Sequence, residues 1–190
     1  MSTYARLRAT FDVNWTTILV GWKGLGVLSP WPNRWEEFPP LLTSKELADY
    51  ALERLESSRT GREQDATTEL VSLNFGEERR EAILSLLAPL SKMDGGDPAT
   101  ELRKWRLILL EQKLEHLPDD PLYALTELTE FWNEFHFPPD GPHEAQGVGN
   151  SISPADYYTQ ENRDRFLLRH RDWIKGEAES IKKASGSRVA

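Results

Sequence analysis

The stretch "DPATELRKWRLILLEQKLEHLPDDPLYALTELTEFWNEF", residues 97–135, decides the fold. Asp97 followed by Pro98 is a helix start: the aspartate side chain accepts from amides of the first turn, and proline lacks a donor that would have no partner there. Leu102, Trp105, Ile108 and Leu109 then recur at spacings that place them on one wide apolar face. The pair Asp120–Pro121 repeats the start signal, and Leu122, Leu125, Leu128, Phe131, Trp132 and Phe135 form a second apolar stripe. Two adjacent amphipathic helices, the first expected to be central, point to an all-α protein.

The flanking segments agree. In "WTTILVGW", Trp15, Ile18, Leu19 and Trp22 mark one buried helix face, and Gly21, Gly24 and Gly26 are expected to end it. Thr43 and Glu46 have capping-box spacing ahead of a helix that turns Leu47, Tyr50, Ala51, Arg54 and Leu55 to one side. A weaker helix follows to about Leu73. The next carries Ile83, Leu84, Leu87 and Leu90 inward, and Pro89 should kink or shorten its end. The last helix bears Phe166, Leu167, His170, Trp173 and Ile174 near one side, and residues 185–190 read as a frayed tail. Alternating apolar and polar runs between turn signals are absent, as are repeats of solenoid length. The expectation is a single helical domain over residues 1–190, a bundle of six or seven helices.

Two segments interrupt it. Residues 30–41 hold four prolines with Trp31, Trp35 and Phe38, so they cannot be regular helix; they form an arm whose aromatic rings either pack back or join a contact surface. Residues 136–158 read as an irregular connection, beginning "HFPPDGPHEAQGVGNS" at His136–Ser151.

Composition excludes several chemistries. The 190 residues contain no cysteine, so disulfides, thiolate catalysis and cysteine-ligated zinc are out. There is no signal-peptide pattern at the start and no apolar run of membrane-spanning length, so the expected address is the cytoplasm, without membrane contact. The net charge of −8 is uneven. Residues 1–40 carry four basic and three acidic groups, residues 41–160 eleven and twenty-three, and residues 161–190 eight and five. Between Glu111 and Asp156 ten acidic residues face a single basic one, Lys113. Such a field repels nucleic-acid backbones and favours a basic partner, although it also describes an ordinary solvated face.

Catalytic motifs are sparse. Gly-Val-Gly-Asn at 147–150 follows no strand and brings no lysine, so it is a poor phosphate loop. His136 and His143, with Asp140 or Glu144, lack helical ligand spacing, and their prolines fit turns as well. His170 reads as a half-buried packing residue, and His116 sits near a helix end, where a cation is favoured. No nucleophile elbow is present. Glu127 with Glu130, and Glu161 with Asp164, resemble the carboxylate pairs that hold magnesium in all-α nucleoside-triphosphate pyrophosphatases. Further pairs at the same spacing, such as Glu46 with Asp49, show how readily charged helices produce them. The remaining feature is acidity itself: Glu127, Glu130 and Glu134 align on one helix edge with nothing basic nearby to offset them, and Asp140 and Glu144 continue the patch.

Together, "WTTILVGWKGLGVLS", "ELADYALERL", "KWRLILLE", the "DPL" start of a helix ending in "FHFPPD", and the closing "ENRDRFLLRHRDWI" resemble a bacterial family of unknown function, numbered 2247. The resemblance covers most of residues 15–175, with the arm at 30–41 and "GVGN" as departures. It implies a small acidic helical protein, brings no catalytic residues, and makes the stretch after "FHFPPD" a variable connection. By analogy of fold and charge alone, such proteins resemble immunity proteins that neutralise a toxin by burying its basic face. The expectation is therefore a non-enzymatic, cofactor-free module. It would bind a basic protein such as a toxin domain through Glu127, Glu130, Glu134, Asp140 and Glu144, with Trp31, Trp35 or Phe38 as anchors. The alternatives are a metal-dependent pyrophosphohydrolase using Glu127, Glu130, Glu161 and Asp164, and a helical subunit whose partner is itself.

Overall fold

The computed structural model describes residues 1–28, 38–57, 61–73 and 80–186; Trp31 and Trp35 lie outside them. Nine α-helices and one 3-10 turn, with no strand, make up the described regular structure: α1 Thr3–Thr10, α2 Trp15–Lys23, the 3-10 turn Gly24–Leu28, α3 Ser44–Ser57, α4 Gly61–Ser72, α5 Arg80–Asp94, α6 Pro98–Glu115, α7 Pro121–Glu134, α8 Pro154–Tyr157 and α9 Gln160–Gly186. The protein is all-α. The six or seven helices expected from apolar periodicity are present, and the two extra ones are α1, whose buried residues are Tyr4 and Leu7, and the single-turn α8. The chain divides within α6 into two compact units, Met1–Trp105 and Arg106–Ala190.

In the first unit α2 packs on α5, α3 on α4 and α4 on α5, around Leu7, Trp15, Ile18, Leu47, Leu70, Leu87 and Trp105, each fully buried. The α2 start is a reciprocal capping box between Asn14 and Thr17, and the one expected at Thr43 and Glu46 is formed, with Thr43 N–H donating to the Glu46 carboxylate at 2.7 Å. Gly24, at φ 61°, ends α2 in a conformation that side chains resist. Gly21 does not end the helix. It lies inside it, and a Cβ there would stand 2.8 Å from Leu42 Cδ2 and overlap the Trp105 ring, so its role is close packing. Pro89 does not shorten α5, which continues to Asp94; Leu90 and Ser91 beyond it are buried, and Thr16 Oγ1 donates to Ser91 O at 3.2 Å.

This unit also buries an ion pair. Lys104 Nζ stands 2.8 Å from Glu101 Oε2, each side chain 3% exposed. Thr17 Oγ1 and Asn14 Nδ2 also donate to Glu101, and Lys104 donates to Asp12 O at 2.9 Å. Every charged atom is thus supplied with partners, as burial requires.

The second unit is built on α7 against α9. Asp120 caps α7 as expected, accepting from Leu122 N at 2.9 Å and Tyr123 N at 3.2 Å. Arg163 of α9 donates to Pro118 O, just ahead of α7, while Trp132, near its end, donates to His170 further along α9. The two helices therefore run in the same sense, and residues 136–158 must carry the chain back between them. That return is ordered. It opens with a left-handed turn at His136 (φ 57°) and Phe137 (φ 48°), and Tyr157, 1% exposed, donates its hydroxyl to Glu144 O at 2.7 Å. Asn150 holds the glycine-rich stretch, donating to Ala145 O and Val148 O and accepting from Gly147 N and Ile152 N. Gly147 and Gly149 take positive φ there, so "GVGN" is an organised turn.

One expected core residue is exposed, Leu122 at 47%, and Leu19, Leu55, Leu102, Leu109 and Trp173 are only half-buried. With about 100° between successive residues, the buried positions of α7 (Ala124, Leu125, Leu128, Phe131, Trp132, Phe135) fill one arc, and Leu122 falls roughly 60° beyond its edge at Leu125.

Candidate functional site

The same helical geometry defines what α7 turns to solvent. Tyr123, Glu127, Glu130 and Glu134 fall within an arc of about 60° on the side away from the core. Tyr123 is 63% exposed, with half-exposed Leu122 next to it, and Glu130 and Glu134 are exposed. Neither of these glutamates forms an ion pair among the described residues. An exposed aromatic ring thus heads a line of carboxylates, giving one face both an apolar contact and a negative field.

The other acidic candidates are placed differently. Glu127 sits 3.1 Å from Lys113 Nζ, so the expectation of no offsetting base fails there: Lys113, fourteen residues earlier and on α6, is brought alongside by the fold. Asp140 takes a two-pronged contact from Arg106, at 2.6 and 3.2 Å, and Glu144 pairs with Arg169 at 3.2 Å. These partners are close in space but distant in sequence, which is why a reading along the chain missed them. The acidic face is accordingly centred on Glu130 and Glu134. Of the aromatic anchors considered, Phe38 is half-buried and Trp31 and Trp35 fall outside the described residues. Tyr123, which sequence reasoning passed over, was legible as the residue four before Glu127 and seven before Glu130.

The carboxylate pairs do not assemble. Asp164 contacts Arg163 at 3.3 Å and accepts from Gln160 at 3.0 Å, while Glu161 is exposed. Among the described residues no group of three or more His, Asp or Glu side chains is arranged to hold a metal, which covers Glu127 with Glu130, Glu161 with Asp164, and the histidines of the connection. No described helix is long and apolar enough to cross a membrane.

Behind this face lies a cluster that the sequence did not announce. The Arg106 guanidinium, 6% exposed, lies over the rings of Trp173 at 5.3 Å and Trp132 at 5.9 Å, and reaches Glu177 at 3.4 Å as well as Asp140. The backbone carbonyl of Asp140 accepts from the Trp173 indole at 2.6 Å. Gly141 lets the chain approach Trp132, since a Cβ there would stand 2.8 Å from the ring. His170 is 1% exposed and hydrogen-bonded at both nitrogens, more buried than the half-buried site expected for it; burial holds its pKa down, to about 4. Burial, then the nearby Arg169, lowers His143 as well.

Three segments with family character meet at this point: "KWRLILLE" supplies Arg106, "FHFPPD" supplies Asp140, and the "RDWI" of the last helix supplies Trp173. No curated protein and no solved structure matches the chain. The profile of one family, described as an uncharacterized protein conserved in bacteria (DUF2247), matches residues 6–178, so the chain belongs to that bacterial family.

Proposed function

We propose that the protein is a non-enzymatic binding module that neutralises a basic partner protein, in the manner of an immunity protein, through the outward face of α7. The observation carrying this reading is the alignment of exposed Tyr123 with Glu127, Glu130 and Glu134. Such a surface attracts a basic partner at long range through its carboxylates and holds it through a desolvated aromatic contact. Like charges at three- and four-residue spacing cost a helix about 0.2–0.5 kcal/mol per pair, a penalty that a cationic surface would remove.

The test uses the gene neighbourhood. The adjacent reading frame should encode a secreted protein with a basic, toxin-like C-terminal domain, and that domain is the binding probe. Reversing Glu130 and Glu134 to lysine should slow its association at low salt by roughly tenfold or more. Tyr123→Ala should act mainly on dissociation. Unchanged on-rates at low salt would count against the proposal. So would turnover of nucleoside triphosphates with magnesium that is abolished by Glu130→Gln.

A further inference from the structure

Trp132 of α7 is flanked by two histidines from different elements. His143 of the returning connection has its ring centroid 5.7 Å away, and His170 of α9 is at 5.9 Å. The Phe166 carbonyl can only accept, so His170 Nδ1 carries a proton and donates to it at 2.7 Å. Nε2 is then unprotonated and accepts from the Trp132 indole N–H at 2.8 Å. A second proton, placed on Nε2 from solvent, would set one N–H against another at a residue 1% exposed.

The surroundings sharpen this conflict. On α9 itself Arg169 stands next in sequence, and its charge disfavours protonation of both histidines. From α6 Arg106 lies over the same Trp132 ring, held by Asp140 and Glu177. From the connection come His143, which disfavours charge on His170, and Asp140, which favours charge on His143. From α7 the contact is the uncharged indole. Neither histidine forms an ion pair with a carboxylate among the described residues. At neutral pH both rings are uncharged and the contact is closed.

We infer that Trp132, His143 and His170 form an acid-sensitive latch: protonation of the histidines breaks the Trp132–His170 hydrogen bond and frees α7 from α9, changing how α7 presents its outward face. The effect on that face rests on the function proposed above; the latch itself does not.

The intact protein is followed through its tryptophan indole N–H resonances, of which the chain has seven, with Trp132 assigned by its loss in Trp132→Phe. As pH falls from the ordinary histidine value of about 6.5 toward 4, the Trp132 resonance should shift and broaden while Trp15, Trp22 and Trp105 hold. His170→Gln keeps an accepting oxygen without a titrating group, and should lower the midpoint by about one pH unit or more. If that variant does not fold, His143→Gln, at a half-exposed position, should lower it by a smaller amount. A Trp132 resonance that stays fixed until all the indoles collapse together would overturn the latch, as would equal midpoints in wild type and the folded variants. Because the readout involves no partner, it fails or succeeds separately from the on-rate test.

Discussion

Replacing Lys104 by methionine removes one member of the buried pair while keeping most of its hydrocarbon stem. At 2.8 Å, and with an effective dielectric constant near 20, the attraction lost is on the order of 6 kcal/mol, most of it offset in the wild type by the cost of burying both ions. The variant no longer gains the attraction but still buries Glu101, 3% exposed, so a loss of about 3–5 kcal/mol is expected. The lower end is favoured because Thr17 and Asn14 still donate to the carboxylate, and because Asp12, which loses the ammonium from its carbonyl, is exposed to water. For a chain of this length that corresponds to a fall in Tm of roughly 6–20 °C. Adding Glu101→Gln should recover most of the loss, since the amide oxygen still accepts from Thr17 and no charge remains buried. Urea unfolding of the two single variants, the double variant and wild type closes a double-mutant cycle. A Lys104→Met protein within about 1 kcal/mol of wild type, or a double variant as unstable as the sum of the singles, would refute the account of this pair.

Three further outcomes follow from local geometry. Gly21→Ala should destabilise by about 1–3 kcal/mol in thermal melts despite alanine's better helix propensity, because the added methyl meets the fully buried Trp105 ring and Leu42. Asp120→Ala should cost about 0.5–2 kcal/mol by leaving the Leu122 and Tyr123 amides uncapped, and chemical shifts should show fraying confined to the first turn of α7. The third concerns pH. His170 binds a proton near 6.5 in the unfolded chain and at about 4 in the folded one, so between these values unfolding takes up a proton and stability falls on acidification. This stability is fully present above pH 6.5, and about 3 kcal/mol of it is lost by pH 4, read as a flatter pH profile of urea unfolding in His170→Gln.

The sequence by itself determined the helices and most of their buried faces, because those depend on interactions within a few residues. The Asp97 and Asp120 caps, the Thr43–Glu46 box and the stripe from Leu125 to Phe135 all stand where spacing put them. Two elements escaped, because α1 buries only Tyr4 and Leu7 and α8 is a single turn, and Leu122 lies just beyond the arc of α7 that is covered. Tertiary structure alone decided which charges are spent. Lys113 reaches Glu127 across fourteen residues, Arg169 reaches Glu144 across twenty-five, and Arg106 reaches Asp140 across thirty-four, and no local pattern encodes such pairings. It also made residues 136–158 an ordered return that lets α7 and α9 run in the same sense. The physical reason is range: helix formation is set by neighbours along the chain, whereas the partner of a charge is set by what packing brings within a few ångströms of it.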